Sequence, residues 1–211
     1  MARATTIPKV LEPEELPRYG GGPPRSASPA VSNARIAIVM VMVAETMLFT
    51  TLIGGYVVLR GASGPWPPAG QPRLPLAVTW VNTFVLFMSC WTMFRAWSAL
   101  KKREPQRLRY SLAETALLGS TFLAIQGTEW VRLVRYGMTL STSIYGATFY
   151  MLIGFHGLHV LVAVAWLLWV VSRFRGDRFT LKKAAVVDLC ALYWFYVCSL
   201  WAVLFPLVYL Y

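Results

Sequence analysis

The chain has 211 residues, of which 57% are hydrophobic and 14% are charged, and its mean hydropathy is +0.54. This composition excludes an ordinary soluble globular domain and is typical of polytopic membrane proteins. The net charge of +11 lies in short clusters between apolar runs, so it indicates membrane topology and not a nucleic-acid-binding surface.

The N-terminal segment and the apolar runs predict two regions. Residues 1–34 are rich in proline, glycine, serine and charge, and such a segment cannot bury enough apolar surface to offset its chain entropy. We therefore predict a disordered cytoplasmic tail. Residues 35–211 are predicted to form one all-α transmembrane domain, because lipid-exposed backbone must hydrogen-bond within its own segment. Five spans of sufficient length are expected, at about 36–59, 76–97, 112–133, 148–171 and 184–210.

The distribution of lysine and arginine predicts the orientation of these spans. The loops after the second and fourth spans are strongly basic, at residues 101–109 and 173–183. The opposite side carries few basic residues: Arg60, Arg73, Arg132 and Arg135. Because basic loops stay in the cytoplasm, the N-terminus is expected inside and the C-terminus outside.

Both histidines of the chain, His156 and His159, lie in the fourth predicted span. A spacing of three places them on one helical face. Glu45 lies near the middle of the first predicted span, at a depth within one or two turns of both histidines. A carboxylate and an imidazole at similar depth can pair, which reduces the cost of burying either group. Three roles remain open for such a pair: a packing contact, a contact with a partner subunit, or proton conduction.

The other acidic residues in the spans lie near helix ends. Glu129, near the outer end of the third span, is expected to pair with Arg132 or Arg135. Glu114 and Asp188 are predicted at the cytoplasmic starts of the third and fifth spans, where a carboxylate interacts favourably with the helix dipole.

Small residues on two of the spans are expected to allow close helix packing, within the chain or against a partner. They are Gly54, Gly55, Gly154 and Gly157.

The histidines and cysteines do not predict a redox centre. A six-coordinate haem needs axial ligands on opposite sides, whereas His156 and His159 share one helix face. A copper or zinc site would need a third or fourth ligand. Three cysteines lie in apolar runs without C-x-x-C spacing, so we interpret them as small buried apolar residues, neither disulfides nor ligands. They are Cys90, Cys190 and Cys198. No catalytic residues, no metal site and no haem are expected in this chain.

Several strings resemble a known family. The segment YGATFYMLIGFHGLHVLVAVAWLL is similar to the signature of subunit III of haem-copper oxidases, and AETMLFTTLIGGYVVLR resembles the first helix of its five-helix bacterial form. The likeness extends over nearly everything beyond residue 35. It implies a subunit without haem or copper that packs on the catalytic subunit I of a terminal oxidase (cytochrome c oxidase) in the bacterial plasma membrane. Haem and copper would then belong to partner subunits.

The resemblance also implies roles for particular residues. Five positions correspond to buried polar positions of the family: Glu45, His156, His159, Glu129 and Asp188. Arg173 resembles a ligand of a phospholipid headgroup, and a basic residue near the cytoplasmic interface suits anionic lipid. Subunit III is thought to support assembly, lipid binding and sustained proton uptake.

The last predicted span departs from the family pattern. A histidine and an aspartate are usual where this chain has Phe195 and Cys198. The departure leaves the branch open among cytochrome c oxidase, quinol oxidase and nitric oxide reductase. It also leaves the electron donor, cytochrome c or quinol, undetermined. A stand-alone proton-conducting transporter is the competing class of function.

Overall fold

The computed structural model describes residues 29–68, 74–173 and 181–210. All regular structure in these ranges is helical, as predicted for an all-α protein. The five α-helices and a terminal π-helical turn are α1 (Pro29–Ala62), α2 (Leu76–Lys102), α3 (Pro105–Arg135), α4 (Ile144–Arg173), α5 (Leu181–Phe205) and Pro206–Leu210.

Four stretches of these helices are long and apolar enough to cross a membrane: Asn33–Ala62, Leu76–Lys102, Ile144–Arg173 and Ala184–Leu210. The chain is therefore a membrane protein by length and composition. Helix α3 is not among these spans. Helix α1 begins at Pro29, before the predicted start at residue 36. Residues 1–28 of the predicted tail lie outside the described residues.

A short turn joins α2 to α3. Helix α2 ends where Arg103 adopts a left-handed backbone with φ of 58°. Pro105 then starts α3, at the position where its missing N–H removes no helical hydrogen bond. The two helices consequently run antiparallel and form the most extensive helix pair of the bundle.

Helix α5 lies against both α2 and α4, and its tryptophans form much of the core. Trp194 and Trp201 are 2% and 0% exposed. The indole of Trp201 donates to Thr83 Oγ1 at 3.0 Å, and that of Trp194 donates to Ser89 Oγ at 3.3 Å. These two hydrogen bonds hold α5 in register against α2. Helix α1 packs on α4 and α5 at the edge of the bundle, where 6% of its most apolar stretch is buried.

Only one of the four glycines predicted to allow close helix packing does so among the described residues. A Cβ added at Gly157 would lie 2.6 Å from the Trp130 ring, so this glycine does allow a close approach. A Cβ added at the other three predicted positions would meet nothing within 4 Å among the described residues; these are Gly54, Gly55 and Gly154. Gly119, which no sequence pattern had indicated, lies directly against the ring of Trp194.

Candidate functional site

Glu45, His159 and Tyr193 meet between α1, α4 and α5. Glu45 Oε1 lies 3.5 Å from His159 Nε2, and the Tyr193 hydroxyl donates to the same oxygen at 3.2 Å. The side chains of Glu45 and His159 are only 17% and 13% exposed. Charges are weakly screened at such a site, so each group depends on its partner more than a surface residue would.

The second ring nitrogen of His159 contacts the backbone of its own helix. His159 Nδ1 lies 2.6 Å from the Phe155 carbonyl oxygen. Because a carbonyl only accepts, Nδ1 must carry a hydrogen. The other ring nitrogen, Nε2, is the atom that faces Glu45.

A hydroxyl pair extends this cluster along α1. Thr46 donates to the Met42 carbonyl at 2.7 Å, and its oxygen lies 3.2 Å from the Tyr196 hydroxyl. Thr46 is exposed, whereas Tyr193 is 5% exposed. Two consecutive residues of α1, Glu45 and Thr46, therefore each contact a tyrosine of α5.

His156 occupies a separate environment, although it lies one turn from His159. It is 1% exposed and stacks on Trp201 with ring centroids 5.2 Å apart. The ring of Phe49 packs edge-on against both imidazoles. Its centroid lies 6.5 Å from that of His156 and 5.2 Å from that of His159. Neither nitrogen of His156 has a hydrogen-bond partner among the described residues. The structure thus joins Glu45 to one histidine and places the other in the aromatic core.

Glu129 forms an ion pair on α3. Its carboxylate accepts from Arg132 at 2.8 Å. The glutamate side chain is 8% exposed and the arginine side chain 64% exposed. The buried carboxylate is therefore paired with a guanidinium at the protein surface. The sequence had predicted Arg132 or Arg135 as its partner.

The helix-dipole interpretation of Glu114 and Asp188 is wrong. Helix α3 begins at Pro105 and α5 at Leu181, and the first turn of neither contains an acidic residue. Both helices extend beyond the predicted starts, so these carboxylates lie about two turns inside.

Each of these two carboxylates contacts a side chain of α2 instead. Asp188 accepts from the Trp97 indole at 2.8 Å, and Glu114 lies 3.5 Å from Arg95. Both are contacts between neighbouring helices. This contact of Trp97 was not predicted, because in the sequence Trp97 resembles an ordinary interfacial tryptophan.

Arg173 is the last residue of α4 and is exposed. Its guanidinium lies 5.3 Å from the centre of the Trp169 ring, at the distance of a cation–π contact. The residues that follow, 174–180, lie outside the described ranges. In the part of the chain that the structure describes, no group of three or more His, Cys, Asp or Glu side chains could hold a metal ion.

The fold and the cluster together define a class: a membrane-embedded helix bundle with a partly buried carboxylate–imidazole pair. Comparison with known proteins makes the class specific, because the family model for cytochrome c oxidase subunit III matches residues 26–211. The chain belongs to the cytochrome c oxidase subunit III family.

Its relatives include bacterial proteins named cytochrome c oxidase subunit 3. The protein of Synechocystis sp. is 35% identical over 174 residues, which cover 82% of this chain and 73% of the relative. That of Alkalihalophilus pseudofirmus is 31% identical over 167 residues, covering 79% and 81% of the two chains. A probable cytochrome c oxidase subunit 3 of Nocardia farcinica is 36% identical over 167 residues, covering 78% and 81%.

Proposed function

We propose that this chain is the non-catalytic subunit III of a bacterial haem-copper terminal oxidase of the cytochrome c oxidase type. It would pack on the catalytic subunit I in the plasma membrane, and the haem and copper would be held by partner subunits. The observation that carries the proposal is the family match over residues 26–211, supported by bacterial relatives that share this name.

The proposed topology has five membrane spans, with the N-terminus inside and the C-terminus outside. Helix α3 is the fifth span in this proposal, although its composition is less apolar than that of the other four. It has 31 residues, or about 46 Å at 1.5 Å per residue. Its antiparallel packing along α2 after a short turn supports a position at the same depth as α2. The basic loops support the orientation.

The cluster of Glu45, His159 and Tyr193 is proposed to stabilise the subunit and to support sustained proton uptake by the complex. Its carboxylate and imidazole lie 3.5 Å apart, and the Thr46 and Tyr196 hydroxyls form a second polar contact between α1 and α5. That surface is largely apolar and exposed. In an assembled oxidase it would contact lipid or a neighbouring subunit.

Arg173 is proposed to bind a phospholipid headgroup. It lies at the end of α4, exposed and flanked by Trp169, which is 48% exposed. An interfacial tryptophan next to a guanidinium suits the boundary between acyl chains and phosphates.

Purification from native membranes tests the proposal. A tagged chain extracted in mild detergent should co-purify with a subunit that has the absorbance of a haem-copper oxidase, and the preparation should oxidise cytochrome c with oxygen. If the purified complex instead oxidises quinol or reduces nitric oxide, the chain belongs to a quinol oxidase or a nitric oxide reductase. A chain that purifies without haem-bearing partners and moves protons in liposomes would instead be a transporter.

A further inference from the structure

A cavity of about 300 Å³ lies at the end of the bundle opposite to Arg173. Helices α1, α2 and α4 and the terminal turn all contribute to its wall, at the level where the four apolar spans begin or end. This level corresponds to the depth of lipid headgroups. The wall combines one cation with aromatic and aliphatic side chains, which include Arg60, Trp66, Leu76, Tyr145, Val208 and Tyr209.

Aromatic side chains hold the half-buried guanidinium of Arg60 in position. Its Nη1 donates to the Tyr56 hydroxyl at 2.9 Å, and that hydroxyl donates to the Leu207 carbonyl at 3.3 Å. The guanidinium also lies 6.0 Å and 5.9 Å from the ring centres of Tyr56 and Trp66, at the distance of cation–π contacts. The positive charge is therefore fixed between α1 and the terminal turn.

The segments that meet at this end of the bundle are positively charged. Three of them contain two arginines and no aspartate or glutamate: residues 60–76, 136–150 and 199–211. Glu129, near the same end of α3, already pairs with Arg132. The charge of Arg60 therefore favours an anionic ligand in the cavity, and a phosphate group forms charge-assisted hydrogen bonds with a guanidinium.

An apolar groove extends from the cavity along α5. Helix α5 contacts both α1 and α2, which have no extensive contact with each other among the described residues. On one side of α5, Tyr196 contacts Thr46 of α1, and on the other side Phe205 packs against Trp80 of α2. The strip between these contacts is exposed, and its side chains are small or aliphatic: Ser199, Ala202, Val203 and Pro206.

We propose that the cavity and this groove bind one anionic phospholipid, with its phosphate at Arg60 and an acyl chain along the exposed strip of α5. The same elements, α1, α2 and the end of α5, line both the cavity and the groove, so headgroup and chain have one continuous surface. The site is distinct from the one proposed at Arg173. Tyr145 lies in the first turn of α4, whereas Arg173 ends that helix about 40 Å away along its axis.

Photolabelling of the full chain with its native partners, extracted in mild detergent, tests the proposal. The probe is a phosphatidylglycerol analogue with a diazirine in its acyl chain, and labelled peptides are located by mass spectrometry. We expect labelling of the α5 strip, at or near Ala202 and Val203. Unlabelled phosphatidylglycerol should displace the probe at about fivefold lower concentration than phosphatidylcholine with the same acyl chains, because only the former has a net negative charge.

Two variants with matched controls separate the headgroup from the acyl chain. Arg60→Gln should weaken probe binding about tenfold, because a hydrogen bond to a charged group is lost. Arg135→Gln removes an exposed arginine at the same end of the bundle and should leave the labelling unchanged. Ala202→Phe should block the groove while Arg60 stays in place. Ala124→Phe enlarges an exposed alanine of α3 and should have no effect.

The wild-type competition needs no variant, so the test remains decisive if Arg60→Gln does not fold. Absence of α5 labelling in the wild-type complex would overturn the proposal and indicate that a helix of a partner subunit covers the groove. Equal displacement by the two lipids would also overturn it. Displacement by inorganic phosphate at the same concentrations as phosphatidylglycerol would identify a site for free phosphate instead of a lipid.

Discussion

Replacement of Gly119 by alanine tests the packing that holds α5 against α2 and α3. A Cβ at this position would clash with the tip of the Trp194 ring, lie 2.9 Å from its Cζ2, and lie 3.2 Å from Val164 Cγ2. Trp194 is 2% exposed and donates to Ser89, so its ring cannot move aside without losing contacts. Overpacking of this kind costs about 1–3 kcal/mol.

Gly127 provides the matched control on the same helix. A Cβ at Gly127 would meet nothing within 4 Å. Both substitutions gain about 0.5–1 kcal/mol from the better helix propensity of alanine. That gain cancels when the two variants are compared. Gly119→Ala should therefore be less stable than Gly127→Ala by about 1–3 kcal/mol.

The assay is the fraction of tagged chain that stays soluble after detergent-extracted membranes are heated. For a chain of this size, each kcal/mol lowers the midpoint by about 2–4 °C. Gly119→Ala should consequently melt several degrees below Gly127→Ala. Equal midpoints for the two variants would show that Trp194 is not packed against Gly119, and would contradict the α3–α5 contact described above.

Three further predictions concern the polar contacts. Glu45→Ala or His159→Ala leaves one member of a largely buried pair without its partner, and should destabilise the chain by up to about 3–5 kcal/mol. The measurement is the loss of the chain from the purified complex, while the haem absorbance of the complex should stay unchanged. Trp97→Phe removes the indole N–H that Asp188 accepts, and should lower the melting midpoint by an amount equivalent to about 1–3 kcal/mol. Arg173→Gln should reduce the anionic phospholipid retained by the complex, measured by native mass spectrometry.

Two of these predictions have a control variant. Trp80→Phe changes a tryptophan that is 53% exposed, so its midpoint should stay close to that of the wild type. Arg135→Gln removes an exposed arginine at the opposite end of the bundle and should leave the retained lipid unchanged. Loss of haem absorbance in purified complexes that still contain Glu45→Ala would contradict a non-catalytic role for this chain.

Much of the candidate site could be predicted from sequence because depth in a membrane follows from position along a span. Glu45 and the histidines fall near the middle of long apolar runs, which places them at similar depth before any contact is known. The partner of Glu129 could also be predicted from the sequence, because residues three apart on a helix are neighbours.

Other contacts depend on how each helix is rotated and aligned against the next. Rotation decides that His159 faces Glu45 while His156 stacks on Trp201, although one turn separates the two histidines. Helix length beyond the apolar run decides that Asp188 meets Trp97 and does not lie at a helix terminus.

The amino-acid sequence alone therefore determined the helical class, the presence of membrane spans and the family, because hydropathy and local motifs are properties of contiguous residues. Tertiary structure alone decided which side chains meet across helices: Tyr193 with Glu45, and Trp194 with Gly119. These contacts arise from interhelical packing between distant parts of the chain, which no periodicity within a single span encodes.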